Sequence, residues 1–237
     1  MGGCTNCKAK SGCDDRKGSM MGEVESTMEA LYPTRTWGEP DDREWHGMAP
    51  EELAGLADEL ASELGAATFV QPGGDDEPCD YIYVLALGRA PCIVQVRDHG
   101  VPPPAEWHDT TGIQEMYLRV VISHRAHLAA VQQVSIDLVR TDGGYLVRER
   151  PRAGVYDAPL LGRMQKLVAI LPAYDLLHVD FGEIAHAPPG FRGGEWRTIY
   201  GLGGTEPAIA NYLFYPQPTT MVATVLIDDP AARGGQA

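Results

Sequence analysis

No stretch of this 237-residue chain is apolar for long enough to cross a bilayer. Its longest apolar runs, Tyr81–Leu87 and Met221–Ile227, fall far short of the ~20 residues that a spanning helix needs. The N-terminus has no apolar core of the kind that opens a signal peptide, so the expectation is a cytoplasmic protein without a secretion signal of its own. Met1-Gly2 invites a myristoylation reading, but Asn6 stands where the motif wants Ser or Thr. Cations are also scarce. The chain has 19 Lys and Arg against 33 Asp and Glu, a formal charge of −14, which argues against nonspecific contact with nucleic acid or anionic membrane. No phosphate-binding loop ending in Lys-Ser/Thr and no serine nucleophile elbow is present.

Cysteine is sparse too, at five residues, and its placement is uneven. Three of the five, Cys4, Cys7 and Cys13, lie in the first thirteen residues among Gly2, Gly3 and Gly12. An odd count without an export signal disfavours a disulfide framework and predicts reduced thiols. Thiolates this close together, on a backbone loosened by glycine, can converge on one metal centre. Residues 1–19 also hold Lys8, Lys10, Arg16 and Lys17 against Asp14 and Asp15, a net of +2 that leaves −16 for the rest. A cluster or a zinc held by four thiolates is anionic, and a cationic surround stabilises either.

Spacing separates the two centres to a degree. Structural zinc sites usually present two similar short pairs, whereas here a pair two residues apart is followed by a single third cysteine. Three local thiolates plus one distant ligand is commoner for an iron–sulfur cluster, of which 4Fe–4S is the expected type, with zinc as the alternative. The distant ligand is expected to be Cys79, which follows the loop Pro72-Gly-Gly-Asp-Asp-Glu-Pro78 and opens a strand at the rim of a sheet. Cys92, opening another strand, is the alternative fourth ligand.

Beyond the arm, Ser19 reads as the N-cap of a helix over Met20–Leu31 stopped by Pro33. The Pro- and Trp-containing stretch 32–48 reads as an irregular connection whose Trp37 and Trp45 pack on the protein itself. Pro50, Glu51 and Glu52 begin a second helix, with Leu53, Leu56, Leu60 and Leu64 on one face and Gly65 as terminator. Strands are predicted at Ala67–Val70, Tyr81–Leu87, Cys92–Arg97, Val134–Arg140, Tyr145–Arg150, Leu177–Phe181, Arg197–Tyr200 and Met221–Asp228. Met116–Ile122 looks like a strand, Ala126–Gln133 like a helix, and Pro159–Leu171 like another helix. The organisation is therefore a Cys-rich arm (1–19), a helical segment with its connection (20–65), an α+β body with a mixed, largely antiparallel sheet (66–229) and a disordered tail (230–237).

In the body, Asp175, His178, Asp180, Glu183 and His186 form the densest acid–histidine group. On a strand His178 and Asp180 share a face, which suits general base chemistry, a ligand pair, or simply a half-wet surface. His124 and His127 would share a face if helical. Gly201-Leu-Gly-Gly-Thr-Glu-Pro207 reads as a turn and cap, because Glu206 would repel a phosphate. The arm followed by Leu31-Tyr-Pro-Thr-Arg-Thr-Trp-Gly-Glu-Pro40 resembles accessory proteins encoded beside metalloenzymes such as nickel–iron hydrogenases. That resemblance spans residues 1–40 and implies a redox metalloenzyme as partner, with the chain as an electron-transfer or assembly subunit. It assigns no residue a role. The other reading is a zinc-stabilised enzyme or ligand-binding domain using the Asp175–His186 region.

Overall fold

The computed structural model describes residues 11–37, 47–73, 79–85, 107, 112–152, 157–194, 206–214 and 223–228. Over 11–20 it describes the backbone alone. The predicted strands at 92–97 and 197–200, Trp45 and the tail lie outside these residues.

Five strands run as an antiparallel meander: β1 (Ala67–Gln71), β2 (Cys79–Leu85), β3 (Gly112–Ser123), β4 (Leu128–Thr141) and β5 (Gly144–Arg152). β7 (Ala223–Asp228) pairs antiparallel with β5. The seventh strand, β6 (Leu177–Asp180), runs parallel to the first residues of β4, with Leu128 opposite Leu177 and Val131 opposite Asp180. β4 therefore has β3 along one edge, and β6 followed by β5 along the other. The expected mixed, largely antiparallel α+β sheet is present.

Ala126–Gln133 does not form the predicted helix, since β4 begins at Leu128. Leu128-Ala-Ala-Val131 lacks the alternation of a half-exposed strand because it is central and buried on both faces, which makes its apolar run continuous and ambiguous in period. The first helix, α1, spans Ser11–Leu31 instead of starting after Ser19. Nothing from 11 to 19 forbids a helix: there is no proline, and Gly12 and Gly18 cost only about 1 kcal/mol each relative to alanine.

The second helix, α2 (Pro50–Leu64), has the expected bounds. The Ala49 amide donates to the Glu52 carboxylate at its start, and Gly65 ends it at φ 57°, a left-handed conformation glycine adopts without a Cβ penalty. Its Leu53, Leu56, Leu60 and Leu64 pack with α3 (Ala158–Ile170) on Ile82, Val84, Leu118, Val120, Ile122, Ala129 and Val131. A 3₁₀ turn, Leu171–Tyr174, follows α3. The opposite face of the sheet receives α1 through Val24, Met28 and Leu31, together with Tyr32, Trp37 and the short helix α4 (Ile209–Leu213). Further along that face Tyr83, Trp107, Tyr117, Val134, Ile136, Leu138, Tyr145 and Val147 form a separate apolar cluster. Among the described residues no helix is long and apolar enough to cross a membrane.

Candidate functional site

The thiols come first. Cys4, Cys7 and Cys92 lie outside the described residues. Cys13 belongs to α1, two residues after Ser11, the first residue of the helix that is described. Along the axis it is roughly 16 Å from Val24, at 1.5 Å per residue. Cys79 is the first residue of β2, opposite Ser123, and so lies at a strand end as expected. It is fully buried, however, in the apolar cluster that Val24 and Met28 join. Among the described residues no three His, Cys, Asp or Glu side chains converge on a position that would hold a metal ion.

The acid–histidine group is divided by the fold. Asp175 ends the 3₁₀ turn in a left-handed conformation, φ 57°, and its carboxylate lies 3.2 Å from Nδ1 of His127 at an exposed position. His178 and Asp180 point to one side of β6, as strand alternation requires, while Val179 joins the α1-face core. The Asp180 carboxylate accepts from the Gly182 amide at 2.6 Å, which holds the turn that brings Glu183 back. His186 is exposed, and its carbonyl accepts the Ile209 amide at 2.9 Å. His124 and His127 fall in the β3–β4 turn, not on a helix, and separate to different partners. His124 Nε2 lies 2.9 Å from the buried Asp80, whose other contact is the Gly73 amide. Gly47, at φ 96°, abuts the His124 ring so closely that a Cβ would come within 2.6 Å of its Cδ2. Of the stretch Gly201–Pro207, residues 201–205 lie outside the described residues; Glu206 accepts from the Gly193 amide at 3.0 Å, and Asn211 Oδ1 accepts from the Ala208 amide at the start of α4.

His178 carries a testable consequence. Its Nε2 is buried without a hydrogen-bond partner among the described residues. Burial lowers its pKa below the ordinary 6.5, and the nearby Asp180 and Glu183 carboxylates oppose but do not reverse that shift. The unfolded chain therefore binds the proton more readily, and stability is lost as pH falls below the ordinary histidine value. The urea midpoint should drop between pH 7.5 and pH 5.5, and His178→Gln should flatten that drop. An identical pH dependence in the two proteins would remove His178 from the account.

Sequence reading missed a second group, on the α1 face between the two apolar clusters. Register sets Phe69, Tyr83, Arg119 and Gln132 in one row across β1 to β4, with Gln71 and Tyr81 in the next. The Arg119 guanidinium donates through both Nε and Nη2 to Gln132 Oε1, at 3.0 and 2.7 Å, and lies 5.4 Å from the centre of the Tyr81 ring. Tyr83 donates to Gln71 at 2.6 Å. Tyr117, its ring 5.7 Å from that of Tyr83, donates its hydroxyl to the buried Glu149 at 2.7 Å. Burial first and the Glu149 carboxylate second push the Tyr117 pKa well above its ordinary 10, so the phenol remains a donor. Burial opposes the Arg119 charge, but the Tyr117 phenol and Glu149 outweigh it and hold the guanidinium ionised. The signal was available in Met116-Tyr-Leu-Arg-Val-Val-Ile122, where one cation interrupts an apolar strand.

Comparisons with protein-family profiles, curated proteins and solved structures find no match to this chain.

Proposed function

We propose that the chain is an iron–sulfur protein that serves a larger redox metalloenzyme, of the hydrogenase kind, as an electron-transfer or assembly subunit. Cys4, Cys7 and Cys13 hold one 4Fe–4S cluster together with a fourth thiolate. The observation that carries this reading is three cysteines within a cationic, glycine-containing segment whose third member lies on α1. The positive charges of Lys8, Lys10, Arg16 and Lys17 favour a thiolate and an anionic cluster there. α1 is anchored in the body by its later turns, through Val24, Met28 and Leu31, so Cys13 belongs to a helix seated on the body. That position suits transfer to a docked partner. The cluster would supply the one-electron chemistry, while the chain's own part is to place and charge-stabilise it.

Oxygen-free preparation followed by iron, sulfide and zinc analysis tests the reading. Broad visible absorption and bound iron are expected in the wild type, with most of both lost in Cys7→Ser and Cys13→Ser. Equal iron in all three proteins would sink it, and stoichiometric zinc without sulfide would establish the zinc alternative. Cys79→Ala against Cys92→Ser identifies the fourth ligand. Loss of iron only with Cys79 would require the arm to reach into the α1-face core, and loss only with Cys92 would leave Cys79 as a packing residue.

A further inference from the structure

We infer that the aromatic belt around Arg119 is a binding site for a small planar carboxylate, anchored by the end-on edge of that guanidinium. Arg119 spends one edge, Nε and Nη2, on a single acceptor, Gln132 Oε1, and rests one face near Tyr81. These contacts fix the plane of the group. The remaining edge, formed by Nη1 and the second Nη2 hydrogen, presents two parallel N–H bonds with no acceptor among the described residues. Two parallel donors are what a carboxylate accepts bidentately.

The surroundings are equally selective. Arg119, Tyr81 and Phe69 are half-buried and Gln71 is exposed, whereas Tyr83, Tyr117, Gln132 and Glu149 are buried, so the belt is open on the β1–β2 side and closed beneath. The half-buried rings of Phe69 and Tyr81 supply flat apolar surfaces at the open side that favour a planar ligand body. Glu149 already accepts from Tyr117, so its negative charge balances part of the Arg119 field. A single carboxylate suits that balance better than a doubly charged phosphate.

Benzoate is the smallest probe of the class, with benzamide as its neutral counterpart and inorganic phosphate as the competing anion. Ligand-observed NMR titration on the full chain should show saturable benzoate binding in the millimolar range or tighter. Affinity should fall about tenfold or more in Arg119→Lys, which keeps the charge and loses the fork. Benzamide should bind no better to the wild type than to that variant. If Arg119→Lys fails to fold by circular dichroism, Tyr81→Ala, at the open side, should produce the weakening instead. Unsaturable benzoate, equal affinity for benzamide, tighter binding of phosphate, or undiminished binding in the variants would each overturn the site. Cys7→Ser should bind benzoate as the wild type does, which separates this inference from the proposed cluster.

Discussion

Arg125→Met is expected to destabilise the protein by about 3 kcal/mol, because bonds from a charged donor are worth roughly 1.5–3 kcal/mol each and do not add fully. The guanidinium is buried in the turn between β3 and β4 and donates through Nη1 to the Tyr32 hydroxyl at 2.7 Å, to the Tyr212 carbonyl at 2.6 Å and to the Asn211 carbonyl at 3.4 Å. Ser123, which accepts the Arg125 amide at 2.9 Å, donates its hydroxyl to the Leu213 carbonyl. One turn therefore closes the last carbonyls of α4, and Tyr32 adds its own hydroxyl to the Tyr212 carbonyl at 2.7 Å. Methionine fills much of the volume but donates nothing, so the carbonyls and the phenol lose their strongest partner while remaining away from water. Urea unfolding measures the loss, and thermal unfolding should show a fall of roughly 6–12 °C for a chain of this size. Tyr32→Phe combined with Arg125→Met should cost less than the two singly, since the Arg125–Tyr32 hydrogen bond is lost in either one and is counted twice in their sum. A change in the midpoint too small to resolve would show that the turn and α4 are held by packing alone.

Trp37→Ala should cost more, about 3–5 kcal/mol, the range for truncating a large aromatic in a core. Trp37 is 1% exposed and sits against Tyr212 at 6.1 Å between ring centres. Its amide donates to the Arg192 carbonyl, and the Arg192 amide donates to the Arg35 carbonyl. This short parallel bridge, Thr36 opposite Arg192, clamps the connection after α1 onto the segment before α4. The experiment also separates two roles for the indole. A core tryptophan lowers the unfolding midpoint when removed, whereas one reserved for a partner would leave the midpoint in place and weaken only association.

The helices and strands that were legible from sequence share a cause. α2 carries its start signal, stripe and stop residue within fifteen positions, and β4–β5 carries Thr141-Asp-Gly-Gly144 between alternating runs, so local chemistry sufficed. The Ala126–Gln133 stretch was misread because burial on both faces erases periodicity, and only the neighbours on each edge of β4 restore the assignment. The early start of α1 escaped because Ser19 satisfies a capping rule equally well whether or not the helix has already begun. Of the candidate residues, the alternation that puts His178 and Asp180 on one side of β6 was readable, while the separation of Asp175 toward His127 depends on a turn. The Arg119 belt assembles from β1 to β5, and spacing along one strand does not reveal such a row.

The contact between Tyr32 and Tyr212 joins residues 180 positions apart. The β1–β5 meander closes through neighbours in the chain and can form while synthesis continues, but the seat of α1 includes residues of α4 and waits for them. Docking of the first helix is thus expected among the last steps of folding. During that interval the helix that bears Cys13 has no seat on the body, and completion of the fold then fixes it.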